Sequence, residues 1–224
     1  MTRDSDMTAG ETDDRTQAVA TILRLSPVMP VVTIHDAELA IELAQALVRG
    51  GIRVIEVTLR TPAALRAIEN IAAAVPDISV GAGTVVSVAD LQAAANAGAA
   101  FAISPGSTPA LLAGAASGPL PYLPAIATAS ELMTGLAAGY RAFKFFPAAA
   151  AGGVALLESL ASPFPHVRFC PTGGITQESA RSYLDLPNVS CVGGSWITPP
   201  DALRSRDWQR IESLAARAAV SRTG

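Results

Sequence analysis

A lysine interrupts an otherwise apolar run, AFKFFPA (142–148). If this run is a β-strand, Lys144 and Phe146 share one face, and Phe143 and Phe145 share the other. A charged lysine that is buried alone is costly, and burial favours the neutral amine. A neutral amine attacks ketones and forms a Schiff base. The run therefore predicts that Lys144 is a nucleophile, in preference to a lysine whose side chain reaches solvent from a strand end.

A second run, IEVTLRT (55–61), combines an apolar face with a polar one. Glu56, Thr58 and Arg60 share the polar face, and Arg60 lies about 13 Å beyond Glu56 at about 3.3 Å per residue. We expect Arg60 to meet a substrate at the rim and Glu56 to act as an acid or base beside the lysine. An interior ion pair that sets strand register is the structural alternative.

Two pairs of glycines end late strand-like runs, in CPTGGI (170–175) and CVGGSW (191–196). Glycine lets backbone N–H groups approach an anion closely. Either pair alone is compatible with a tight turn. Two pairs on the last two strands favour a phosphate site, because loops after strands seven and eight of an α/β barrel often bind phosphate.

Short β-rich runs alternate with Ala- and Leu-rich helical segments along the chain. The eight runs are 28–34, 54–59, 78–84, 100–106, 120–127, 142–148, 167–174 and 189–196. Such alternation requires parallel strands with helical crossovers, and eight units favour a closed (β/α)8 barrel over a doubly wound open sheet. We expect one domain over 17–224, after a disordered acidic tail at 1–16. Strands two and six lie opposite each other in such a barrel, so Glu56 and Lys144 can meet.

Composition excludes several classes of function. The net charge of −3 and the absence of a basic block argue against nucleic acid as a partner. The N-terminal segment has acids where a signal peptide has basic and apolar residues, and no run is long and apolar enough to span a membrane. Cys170 and Cys191 are expected to be buried thiols in a reducing compartment. His35 and His166 lack a metal-ligand pattern, so we expect structural or surface histidines and no metal.

Six motifs in this order, EVTLRT, GAGTV, FAISPG, FKFFPA, FCPTGGI and GGSW, resemble the 2-keto-3-deoxy-6-phosphogluconate aldolase family, also called 4-hydroxy-2-oxoglutarate aldolase. The resemblance begins near residue 17 and continues almost to the C-terminus. It implies a metal-free class I aldolase with a TIM-barrel fold. It also implies a homotrimer that needs no cofactor and cleaves a phosphorylated 2-keto acid in the Entner–Doudoroff pathway. We expect the protein in the cytoplasm.

The resemblance also implies a role for each motif residue. Lys144 corresponds to the Schiff-base lysine and Glu56 to the general acid/base. The pyruvate-derived half of the substrate is surrounded by Arg60, Thr84, Pro105 and Phe146. The remainder and its phosphate are held by Thr172, Gly173, Gly174, Gly193, Gly194 and Ser195. The chain departs from the family pattern at Ala149, where many members have an acidic residue, and at Ala125 and Ala127.

Three other functions stay open at the level of the sequence. A metal-free phosphosugar isomerase or epimerase would use acid/base groups on the same barrel without an imine. A relative that acts on the galactonate epimer would be expected to carry an apolar residue in place of Thr172. A non-catalytic phosphate-binding module would not need Lys144 and Glu56.

Overall fold

Strand and helix units alternate in the computed structural model, which describes residues 17–220. The predicted acidic tail at 1–16 lies outside the described residues. The strands are β1 (Val28–Val32), β2 (Val54–Thr58), β3 (Ser79–Gly83), β4 (Phe101–Ile103), β5 (Tyr122–Leu123), β6 (Ala125–Ile126), β7 (Ala142–Phe145), β8 (Arg168–Pro171) and β9 (Val192–Gly194).

The helices follow the strands as the sequence pattern predicts. They are α1 (17–22), α2 (Ala40–Arg49), α3 (Ala64–Ala74), α4 (Val88–Asn96), α5 (Pro109–Ala116), α6 (Ala129–Ala137), α7 (Gly153–Ala161), α8 (Ala180–Leu184), α9 (Pro200–Ser205) and α10 (Trp208–Ala219), with a 3-10 helix at Ala37–Leu39. Side chains cap several of them. The hydroxyls of Ser87, Thr108 and Thr128 accept hydrogen bonds from the first turns of α4, α5 and α6.

The strands close into a ring of parallel neighbours, which confirms the barrel and excludes the open sheet. One sheet has the order β5-β4-β3-β2-β1-β9 and the other the order β6-β7-β8. Two bridges, Phe169 with Val189 and Thr172 with Gly193, join β8 to the chain around β9. The remaining link is the fifth predicted strand, which is split into β5 and β6 at Pro124.

Pro124 interrupts this strand because a proline has no N–H to give to a neighbour. Its carbonyl still accepts a hydrogen bond of 2.9 Å from the backbone N–H of Lys144. The chain therefore pairs with β4 before Pro124 and with β7 after it.

At the N-terminal end of the barrel, Val19 and Leu23, in α1 and just after it, pack against buried side chains of the strands. The carboxyl ends of the strands are left for the functional site.

Strand β7 directs its aromatic side chains outward and its lysine inward. Phe143 and Phe145 are fully buried in the layer between the strands and the surrounding helices. Gly135 of α6 lies so close to Phe143 that a Cβ atom added there would overlap the aromatic ring. The helix therefore packs directly on the outer face of β7, and this contact holds Lys144 toward the barrel interior.

We predict that Gly135→Ala lowers the free energy of unfolding. A methyl group there must displace Phe143, and overpacking of this kind costs about 1–3 kcal/mol. The gain in helix propensity from glycine to alanine is only about 1 kcal/mol. Urea or thermal unfolding measures the difference.

The matched control is Gly114→Ala on α5. A Cβ atom there meets the side chain of Val88, which is 49% exposed and can rotate away. This variant should keep or gain stability. Equal destabilisation of both variants would contradict the direct contact between α6 and Phe143.

Candidate active site

Lys144 and Glu56 meet across the centre of the barrel. The Lys144 ammonium donates hydrogen bonds to both carboxylate oxygens of Glu56, at 2.9 Å to Oε1 and 3.2 Å to Oε2. Their side chains are only 4% and 2% exposed. Because a buried charge is stable only when it is paired, each group depends on the other. At these distances a proton can pass directly between the amine and the carboxylate.

Glycine provides the space for the carboxylate. A Cβ atom added at Gly83 would overlap the side chain of Glu56. Gly83 is the residue of β3 that lies in register beside Thr58, two residues beyond Glu56 on β2. The motif GAGTV therefore has a packing role beneath the site as well as a place at its rim.

A cavity of about 630 Å³ opens at the carboxyl ends of the strands. This volume suits a small metabolite. Nine of the twelve predicted site residues line it: Arg60, Lys144, Phe146, Thr172, Gly173, Gly174, Gly193, Gly194 and Ser195. The lysine lies at its floor, and the Phe146 ring centroid is 5.5 Å from the Lys144 nitrogen.

Arg60 lies at the rim, as the strand spacing predicts. Its Nε donates a hydrogen bond of 3.0 Å to Oγ1 of Thr84. Thr84 does not line the cavity itself, and it has a φ of 59°, which is uncommon for a residue other than glycine. Backbone strain of this kind clusters at functional sites. The bond from Arg60 shows that Thr84 helps to orient the guanidinium.

The two glycine pairs reach the cavity for different physical reasons. Gly173 and Gly174 follow β8 with φ values of 99° and 74°, a conformation that favours glycine. Gly193 and Gly194 lie within β9 instead, and neither of the two has a positive φ. A Cβ atom at these two positions would overlap Thr172 and Trp196 respectively.

The remaining predicted residue, Pro105, follows β4 and is half-buried, and it does not line the cavity. Other residues that the sequence did not single out do line it, among them His35, Thr198 and Arg204. The expectation that His35 is a surface residue is correct as to exposure, but its side chain also borders the cavity. Its position just beyond the end of β1 was the available signal. Thr198 and Arg204 lie farther along the chain, after the end of β9, and no signal in the sequence connected them with the cavity.

One cysteine lies beside the lysine, and the other contacts the first. Cys170 is in register with Lys144 on the neighbouring strand, and the Cys191 thiol donates a hydrogen bond of 3.5 Å to its sulfur. This bond, with the positive charge of Lys144, lowers the pKa of the Cys170 thiol against the opposing effect of burial. Both cysteines are buried and neither is in a disulfide, as predicted.

Residues 17–220 contain no group of three or more His, Cys, Asp or Glu side chains that could hold a metal ion. In the same part of the chain, no helix combines the length and the apolar character needed to cross a membrane.

Comparison with known proteins agrees with the motifs. The family model for KDPG and KHG aldolase matches residues 19–214. The chain belongs to this family. KDPG denotes 2-keto-3-deoxy-6-phosphogluconate and KHG denotes 4-hydroxy-2-oxoglutarate. The assignment covers every strand of the barrel and all the predicted site residues.

Relatives within the KDPG and KHG aldolase family match over nearly the whole chain. A 2-dehydro-3-deoxy-phosphogluconate aldolase of Dickeya dadantii is 53% identical over 90% of this chain and 95% of its own length. A KHG/KDPG aldolase of Escherichia coli is 52% identical over 88% of this chain and 92% of its own.

Solved structures of KDPG aldolases share the fold. The enzyme of Legionella pneumophila, with pyruvate captured at low pH as a covalent carbinolamine intermediate, is 48% identical with a TM-score of 0.88. The match covers 89% of this chain and 97% of the Legionella chain. The enzyme of Zymomonas mobilis with 3-phosphoglycerate is 46% identical with a TM-score of 0.87, over 91% of this chain and 96% of its own.

The buried pair generates a prediction about stability. Lys144→Met leaves the Glu56 carboxylate buried without its partner, and loss of one partner of such a pair costs about 3–5 kcal/mol. The double variant Lys144→Met/Glu56→Leu removes both charges and should recover most of this loss. Urea unfolding at neutral pH gives the free energy of unfolding of the wild type, the single variant and the double variant. A double variant that is no more stable than the single one would show that the two charges are not coupled.

Proposed function

We propose that the protein is a class I aldolase that cleaves 2-keto-3-deoxy-6-phosphogluconate to pyruvate and D-glyceraldehyde 3-phosphate, a step of the Entner–Doudoroff pathway. We propose that it also cleaves 4-hydroxy-2-oxoglutarate to pyruvate and glyoxylate. The observation that carries the proposal is the buried contact of 2.9 Å between Lys144 and Glu56 at the floor of the cavity. Membership of the family and the names of the relatives support the choice of substrates.

In the first half of the reaction Lys144 forms the imine. Glu56 accepts a proton from the ammonium, and the neutral amine then attacks the C2 ketone to give a carbinolamine. Loss of water from the carbinolamine gives the protonated imine. The carbinolamine captured with pyruvate in the Legionella enzyme supports this order of events.

In the second half the imine serves as an electron sink. Glu56, through a water molecule, removes the proton of the C4 hydroxyl. The C3–C4 bond breaks, the aldehyde leaves, and the bonding electrons pass into an enamine. Protonation of the enamine carbon and addition of water to the imine release pyruvate and regenerate the Lys144 amine. An isomerase or epimerase would use acid/base groups but would need no imine.

The cavity walls suit the two ends of the substrate. We assign the carboxylate of the pyruvate-derived half to Arg60, which Thr84 orients, with the Phe146 ring on the same cavity. We assign the other end to Thr172, the glycine pairs and Ser195, with backbone N–H groups directed at the phosphate. The 3-phosphoglycerate in the Zymomonas enzyme is a phosphorylated ligand and supports this assignment.

We also propose a homotrimer in the cytoplasm. The family resemblance supports the trimer, and the exposed side chains of Val86 and Met133 offer apolar surface for contacts between copies. Cys170 and Cys191 form no disulfide, which fits a reducing compartment. Sedimentation equilibrium should give three times the chain mass of 22.9 kDa. A mass equal to one chain in that measurement would contradict the trimer. Recovery of the protein outside the cytoplasm on cell fractionation would contradict the proposed location.

The Schiff base is tested by trapping. Pyruvate plus borohydride should add one reduced pyruvyl group and abolish cleavage, because the imine nitrogen becomes a secondary amine. Lys144 is the one lysine in the sequence, so intact mass reports on it directly. Lys144→Arg should add no mass and show no turnover, since a guanidinium stays protonated. Full cleavage without a trapped adduct would exclude an imine mechanism.

Glu56→Gln is the companion variant that separates imine formation from bond cleavage. It should still trap pyruvate while cleavage falls roughly 10²–10⁴-fold, as is usual for loss of a general acid–base group. Turnover close to that of the wild type would mean that another group moves the proton.

A further inference from the structure

The cavity carries cationic side chains on different walls. Lys144 is at the floor and is held by Glu56, and Arg60 is held at the rim by Thr84. Arg204 of α9 lines the cavity from the side on which β9 ends. The chain passes from Ser195 to α9 through one tight turn, in which the Thr198 N–H donates to the Ser195 carbonyl at 3.2 Å. Arg204 is therefore on the wall that continues from the second glycine pair.

Within residues 17–220, the Arg204 guanidinium has no carboxylate within 4.0 Å. Arg210 in the adjacent helix differs, because it forms an ion pair of 2.6 Å with Asp201. Asp36, the carboxylate that lines the same cavity, instead accepts a hydrogen bond from the backbone of Glu38. The charge of Arg204 is thus available to a ligand.

Thr198 gives a second, independent observation on the same wall. Its residue is 4% exposed, and its hydroxyl oxygen is one of two buried side-chain oxygens that lack a hydrogen-bond partner in the described part of the chain. Such groups are rare, because an unsatisfied buried polar group is costly. Thr198 also lines the cavity, so a bound ligand can supply the missing partner.

We infer that Arg204 and Thr198 form a polar wall that binds the phosphate-bearing half of the substrate and that Arg204 sets the preference for phosphorylated over non-phosphorylated 2-keto acids. This inference rests on the proposed function. The glycine loops offer N–H groups to the phosphate, whereas Arg204 offers a full charge to a group that carries about −1.5 to −2 at neutral pH. The substrate is then held at both ends by guanidinium groups, with its ketone above Lys144.

Kinetics of Arg204→Gln test the inference. For 2-keto-3-deoxy-6-phosphogluconate, kcat/KM should fall roughly 10- to 100-fold, the range for loss of a charged hydrogen bond. For 2-keto-3-deoxygluconate, which differs only by the phosphate, the fall should be much smaller. Arg204→Lys should recover part of the loss. Equal falls for both substrates, or no fall for either, would overturn the inference.

Arg206→Gln is the matched control. It removes the same charge two residues away, from an exposed arginine that does not line the cavity. It should change neither kcat/KM value. Thr198→Val should lower kcat/KM for the phosphorylated substrate roughly 3- to 10-fold and keep or raise the thermal midpoint, because the hydroxyl has no partner in the described part of the protein. A lower midpoint without a kinetic effect would assign that hydroxyl a structural role and remove it from the wall.

A binding measurement separates this inference from the proposed function. Glycerol 3-phosphate has a phosphate monoester but no ketone, so it cannot form an imine. Its calorimetric dissociation constant should rise roughly 10-fold or more in Arg204→Gln and stay constant in Arg206→Gln. If Arg204→Gln weakens the binding of glycerol 3-phosphate but the wild type has no aldolase activity, the inference about Arg204 stands and the proposed function is rejected. If the wild type cleaves the substrate but Arg204→Gln leaves this dissociation constant unchanged, or if glycerol 3-phosphate does not bind, the inference about Arg204 is rejected.

Discussion

The buried pair of Lys144 and Glu56 is the constraint on which the rest of the structure depends. Two charges withdrawn from water are stable only if their geometry is close and their surroundings hold it. The ring of strands places them opposite each other, Gly83 leaves room for the carboxylate, and α6 packs on Phe143 so that the lysine points inward. Features that look unrelated in the sequence therefore serve one contact.

The cavity above this pair separates chemistry from recognition. In the proposed reaction, bond making and breaking take place at the floor, where the amine and the carboxylate are in direct contact. The walls carry cationic side chains, Arg60 toward β3 and Arg204 beyond β9, and we propose that these bind the anionic ends of the substrate. A barrel suits this division, because each strand end contributes one wall and can vary without disturbing the floor.

Local sequence signals predicted much of this arrangement. The period of two in AFKFFPA and IEVTLRT assigned Lys144 and Glu56 to the interior. The split of the fifth strand at Pro124 was missed, since either side of a proline can still pair. Arg204 was missed for a different reason. No periodicity connects it with the cavity, and only the path of the chain after β9 brings it there. The predicted tail at 1–16 lies outside the described residues.

One further consequence follows from the burial of Lys144. It is the one lysine among 224 residues, so by difference the other 15 residues in the Lys plus Arg total of 16 are arginines. Acyl phosphates, thioesters and reducing sugars modify exposed ε-amines without any enzyme, and this chain offers them a single ε-amine that is 3% exposed. The outer surface is therefore inert to acylation and glycation of lysine. A metabolite can reach the one reactive amine only by fitting the cavity, so shape selects which carbonyl compounds react.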